Sequence, residues 1–302
     1  IILDKKLYLL KSLPILLTFL CLVYALISYQ IDLESIFFDS NESLIATFLI
    51  SFIIVFVQNY LMAKRWLLIS KFFGQKTNTR GLFYAISYSS FLNQFLPATI
   101  AGDAYRSFFQ KSSGSTLYKG ISSVLVDRII GLISLLVIAC ISILFLPLNN
   151  SYQYLSIFFL TSFFSLFFIN KKMIFRFMPQ KINTFLDIIF GKKIPLKSYN
   201  LSFLSHLISI LLFIFVCKNN GFDTSELIKI GLIFPISLLL STLPISIGGW
   251  GIREGSLLFL SSSLGLDTQN IILSSVQFGI ILALTGLSNS IFIIPLSKIR
   301  KK

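Results

Sequence analysis

The chain has 302 residues, of which 55% are hydrophobic and 13% charged, with a mean hydropathy of +0.84. A soluble domain carries about 25% charged residues, so a soluble globular fold is excluded. The formal net charge of +14 would suggest nucleic acid for a soluble protein. In so apolar a chain, Lys and Arg are read instead as loop charges that fix orientation and meet anionic lipid.

Apolar runs at 12–29, 43–62, 129–147, 152–169, 201–217 and 271–296 each approach the ~20 residues needed to cross the hydrocarbon core. They are continuous rather than alternating in polarity, which argues against a β-barrel. The expectation is an all-α polytopic membrane protein, 1–302 forming one domain. The run 12–29 is too long, and too aromatic at its end, for a typical cleaved signal peptide.

Loop charge orders these runs across the membrane. Lys5, Lys6 and Lys11 precede the first, and Asp32, Glu34, Asp39 and Glu42 follow it. The next loop is read as carrying Lys64, Arg65, Lys71, Lys76 and Arg80. Runs 129–147 and 152–169 are joined by the short turn LNNS, and the basic segment 170–200 follows. The chain finishes on KIRKK. Positive-inside logic places these basic segments, and both termini, on the cytoplasmic side of a bacterial or archaeal inner membrane. Two regions, 82–128 and 227–264, are apolar but broken by Pro, Gly and charge. Each must begin and end on one side, and the two must enter from opposite faces as hairpins or pairs of short helices.

One phrase recurs in these broken regions. Residues 96–106 read LPATIAGDAYR and residues 243–253 read LPISIGGWGIR. Leu96/Leu243, Pro97/Pro244, Ile100/Ile247, Gly102/Gly249 and Arg106/Arg253 are identical without a gap. This is the pattern of an inverted-topology repeat, with discontinuous helices meeting near the midplane. Pro97 and Pro244 each remove a backbone donor and end or kink a helix. Gly102, Gly248, Gly249 and Gly251 permit unusual backbone angles and close approach. A broken helix at membrane depth is tolerated only against protein or a wet cavity, and a helix restarting there aims its N-terminal N–H groups inward, which suits an anion.

An Arg at membrane depth costs about 2.5–3.5 kcal/mol on insertion scales, so Arg106 and Arg253 should be paired or functional. Asp103 and Glu254 are their nearest carboxylates in sequence. Asp127 and Arg128 form a third charged point at the head of the run 129–147. Arg106, Arg128 and Arg253, partly balanced by Asp103, Asp127 and Glu254, would suit a phosphate-bearing headgroup, because the planar guanidinium binds phosphate in bidentate fashion. Equally, Asp103–Arg106 and Arg253–Glu254 would serve as ion pairs locking two hairpins together. Asn93 and Gln94 precede the first break, where they would line the cavity or satisfy freed carbonyls, the latter favoured for Gln94. Trp250 is read as packing against the other hairpin in preference to a gate. Cys21, Cys140 and Cys217 lie in apolar stretches with no CxxC or Cys/His cluster, so neither a disulfide nor a metal site is expected. The single His206 is read as packed or interfacial. No nucleotide, metal or hydrolase motif is present, and no cofactor is expected.

At these positions the chain resembles a known family. NQFLPATIAGDAYR, SVLVDRIIGL and LPISIGGWGIREGSL, in that order, are similar to three phrases of the lysylphosphatidylglycerol synthase transmembrane-region proteins, also described as flippase-like. The resemblance implies that Asn93, Pro97, Gly102, Asp103, Arg106, Asp127, Arg128, Pro244, Gly249, Gly251, Arg253 and Glu254 matter. It also implies a lipid-flipping role, with lipid synthesis residing in a separate soluble domain that this sequence does not contain. The expected function is an anionic-lipid flippase. The alternatives are a membrane-embedded lipid or glycolipid transferase, and an accessory subunit of a lipid-modifying enzyme or glycosyltransferase encoded separately. Expected partners are membrane lipids and not nucleic acid.

Overall fold

The computed structural model describes residues 42–95, 100–147, 194–243, 246 and 248–291. The runs 12–29 and 152–169, the LNNS turn, most of segment 170–200, the KIRKK tail, and Pro97 and Pro244 lie outside the described residues.

The described residues form eight helices: α1 Glu42–Phe72, α2 Thr79–Phe95, α3 Ile100–Ser112, α4 Leu117–Phe145, α5 Leu196–Asn219, α6 Thr224–Ser241, α7 Ile252–Ser263 and α8 Thr268–Ile291. Five of them, α1, α4, α5, α6 and α8, are long and apolar enough to cross a membrane. The region 227–264 therefore divides unequally: α6 has the length of a span, whereas α7 does not. With 13 and 12 residues, α3 and α7 reach only about 20 and 18 Å at 1.5 Å per residue, short of the ~30 Å hydrocarbon core.

Two helix boundaries differ from those expected of the apolar runs. Helix α1 continues past residue 62 to Phe72, so Lys64, Arg65 and Lys71 are helical and not loop residues. Helix α4 begins at Leu117, where Thr116 Oγ1 accepts a hydrogen bond from Lys119 N at 3.4 Å. Asp127 and Arg128 thus lie well inside α4, not at its head. Hydropathy ends both runs early because each helix turns a charged face toward the interior of the protein, where polar partners replace water.

Helices α1–α4 and α5–α8 repeat one arrangement. In each half a long helix is followed by a mid-length one, a short one and another long one. Positive-φ glycines follow the first and third helix of each half: Gly74 and Gly114, then Gly221 and Gly265. They leave the chain in the left-handed conformation that commonly closes a helix. Packing repeats as well. Helix α2 packs on α8 and α6 on α4, α1 on α4 and α5 on α8, α4 on α5 and α8 on α1, and α1 on α5 across the centre. Every substantial helix contact among the described residues has its counterpart under exchange of the halves.

The cores differ. The second half has an aromatic core: Phe213 and Phe234 stack at 3.9 Å, and Phe278 meets both edge-on. The first half packs Trp66, Leu82 and Ile86 beside a cavity lined by charged side chains.

Candidate functional site

Helix α1 brings Gln58, Met62 and Arg65 onto one face at i, i+4 and i+7, and all three border a cavity of about 480 Å³ shared with α2–α6. That volume lies within the range of small-molecule sites. Helix α5 faces it with Ser205, His206 and Ser209, while Ser202 lies one turn away.

The charged centre is Asp127 on α4. Its Oδ1 accepts from Arg65 Nε at 2.7 Å, and its Oδ2 accepts from Arg65 Nη2 at 3.1 Å and from Arg106 Nη2 at 2.5 Å. One carboxylate thus bridges two guanidiniums, a geometry well suited to charge-assisted hydrogen bonds. Arg65 Nη1 also donates to Ser202 Oγ at 2.8 Å. Arg106 lies over the Trp66 ring, 4.2 Å from its centroid, a cation–π contact that offsets part of its desolvation. Its Nε is buried with no hydrogen-bond partner among the described residues. Asp103 pairs with Arg128 Nε and stands 3.9 Å from Arg106 Nη1. Arg128 is the most accessible of the three arginines, its side chain 31% exposed. Together Arg65, Arg106 and Arg128 against Asp103 and Asp127 leave one formal positive charge in the cavity.

The expected Asp103–Arg106 pair is therefore the longest contact of this set, and Asp127, from another helix, is the principal partner of Arg106. Arg65 escaped the sequence reading because its position beside Lys64 resembles a loop charge. Its signal was the helical spacing to Gln58. His206 Nε2 donates to the Gly131 carbonyl at 3.0 Å, a packed residue on the cavity wall.

The two breaks touch. Asn93 Oδ1 accepts from Gly102 N at 3.1 Å, satisfying one of the free donors at the start of α3. A Cβ at Gly102 would stand 2.7 Å from the Ser89 carbonyl oxygen, so α2 and α3 approach only because that side chain is missing. On the opposite side, Gly248 has φ of +58°, and a Cβ there would come within 3.0 Å of Gln94 Cα. Trp250 Nε1 donates to Gln94 Oε1 at 3.2 Å. Gln94 thus binds the second break through Trp250.

Arg253 and Glu254 do not border the cavity. Arg253 donates from Nε and Nη2 to Glu254 Oε1 at 3.0 and 2.7 Å, and to Ser275 Oγ and the Ser275 carbonyl at 2.9 and 3.1 Å. Glu254 also accepts from Ser275 Oγ and, through Oε2, from Gly251 N, both at 2.7 Å. Trp250 and Phe278 cover the guanidinium at 5.0 and 5.5 Å. The single headgroup site expected to unite Arg106, Arg128 and Arg253 is therefore divided. The first two face the cavity with Asn93, Asp103 and Asp127, while Arg253 and Glu254 are closed on each other at the start of α7. The reason lies in the turn at Gly249–Gly251, where φ of +83° and +82° at these two glycines accompanies the Glu254–Gly251 hydrogen bond.

Neither a curated protein nor a solved structure matches the chain. Residues 12–287 match the family model described as the lysylphosphatidylglycerol synthase TM region, so this multi-pass membrane protein belongs to that family.

Proposed function

We propose that the protein is a lipid transporter of the cytoplasmic membrane, a flippase for an anionic, phosphate-bearing lipid or lipid-linked precursor. The observation that carries this reading is the convergence of Arg65, Arg106 and Arg128 on a cavity that retains one uncompensated positive charge. A headgroup phosphate there would take hydrogen bonds from Arg128 and from the unpartnered Nε of Arg106. Asp127 holds the other edge of Arg106 and keeps the guanidinium plane fixed. Asn93, Ser89 and Ser90 on α2 offer neutral groups for the rest of the headgroup.

The exchange symmetry of α1–α4 and α5–α8 supports an inverted repeat, and the short α3 and α7 support re-entrant hairpins in that repeat. Alternating access would then be rocking of one half against the other about the Gly248–Gln94 contact. Both termini lie on the cytoplasmic side in this reading.

Mass spectrometry of the lipids that copurify tests it, with wild type beside Arg128→Gln. Arg128 lies at the cavity edge, so this change spares the buried network. Selective retention of an anionic lipid, reduced about tenfold in Arg128→Gln, the scale of one hydrogen bond to a charged group, is expected. Bulk lipid retained identically by both would sink the headgroup site.

A further inference from the structure

Beside the polar cavity runs a second one, of about 330 Å³, between α3 and α4. Its walls are Ala104, Ser107 and Phe108 on one helix and Leu117, Ile121 and Leu125 on the other. These positions recur at three and four residues, so each helix gives the groove one face. The wall is apolar apart from Asp103 at one end and Ser107, whose hydroxyl is turned away to the Asp103 carbonyl at 2.8 Å. The helices nearly touch beneath it, because a Cβ at Gly120 would stand 2.7 Å from the Ser107 carbonyl oxygen. The groove rim stays open: Phe108 is 57% exposed, and Ile121 and Leu125 are exposed as well.

Asp103 lines both cavities. Its partner Arg128 is on the polar side only, so the Asp103–Arg128 pair stands between a cationic chamber and an apolar trough. An amphiphile with a phosphate at one end and a hydrocarbon chain at the other matches that sequence of surfaces. We propose that the α3–α4 groove seats one hydrocarbon chain of the transported lipid, with its phosphate on Arg128 at the threshold. This rests on the lipid-transport reading and adds the second half of the binding site. Entry of the phosphate draws Arg128 from Asp103, and the chain follows along Ala104, Ile121 and Leu125 without leaving apolar surroundings.

Photolabelling tests the groove on the full chain in phosphatidylcholine vesicles. The probes are phosphatidylglycerol and phosphatidylcholine, each with a diazirine at the end of one acyl chain. The comparison surface is the α5 face around Leu211, which is 62% exposed and borders neither cavity. Phosphatidylglycerol is expected to label α3 and α4 several-fold more than α5, and phosphatidylcholine to label both faces alike. Ala104→Trp and Ile121→Trp, which fill the groove from exposed positions, are expected to abolish the excess. Leu211→Trp should leave it intact. Even labelling of both faces, with phosphatidylglycerol still selectively retained on purification, overturns the groove alone. Loss of selective retention in the wild type overturns the transport reading and the groove with it.

Discussion

Arg106 and Arg253 occupy the same place in two copies of one phrase, and both are nearly inaccessible, at 5% and 2% exposure. Their surroundings have diverged. Helix α4 supplies Asp127, 21 residues after Arg106, whereas α8 supplies Ser275, 22 residues after Arg253. The second half takes its carboxylate from the adjacent Glu254 instead. That carboxylate is consumed locally, and Trp250 and Phe278 close over the pair. In the first half the carboxylate comes from the neighbouring α4 and is shared with Arg65, and both arginines border the cavity. The matching position thus closes on its sequence neighbour in one half and borders the cavity in the other.

The sharpest way to break this comparison is Asp127→Ala. It strands two buried guanidiniums where loss of one partner from a buried pair costs about 3–5 kcal/mol, so the folded yield and the melting temperature in detergent should fall furthest here. Melting like the wild type would show that Arg65 and Arg106 find water instead. Glu254→Ala strands one guanidinium and should cost about 3–5 kcal/mol by the same measurement. The two halves should then separate under rescue. Arg253→Met with Glu254→Leu should recover most of that stability, since apolar replacement of a buried pair is often neutral, and should keep anionic-lipid retention. Arg106→Met with Asp127→Leu should lose retention whatever its stability; equal retention in both double variants would erase the distinction.

Smaller effects sharpen the contact between the breaks. Gly102→Ala forces α3 away from the Ser89 carbonyl and should cost about 1–3 kcal/mol, the usual scale of overpacking, read from thermal unfolding. Trp250→Phe keeps a ring over Arg253 but removes the hydrogen bond to Gln94. About 1 kcal/mol is expected, and an unchanged melting temperature would show that glycine packing alone holds the breaks together.

Much of this was legible in the sequence. The apolar runs announce spans, and the repeated phrase locates both breaks because Gly102 is needed for close backbone approach and Gly249 for a positive φ. Asp127 and Arg128 were legible as charges of consequence, but not their depth in α4, since a charged face turned inward reads in one dimension as the end of an apolar run. Arg65 was hidden by the same effect, next to the exposed Lys64. The partner of Arg106 was illegible, because three-dimensional proximity of α3 and α4 depends on Gly120, and nothing local favours Asp127 over Asp103. The separation of Arg253 from the cavity was likewise set by tertiary packing, through Ser275 on a helix that the phrase does not include.

The surplus charge of the cavity has an electrical consequence. Moving one elementary charge across the whole membrane potential is worth about 2.3 kcal/mol per 100 mV. In the proposed transport cycle, a singly charged headgroup bound among Arg65, Arg106 and Arg128 would bring the occupied chamber to neutrality, so the loaded movement would be blind to voltage. The empty movement of that cycle would carry the positive charge alone and would be the stroke on which an inside-negative potential acts.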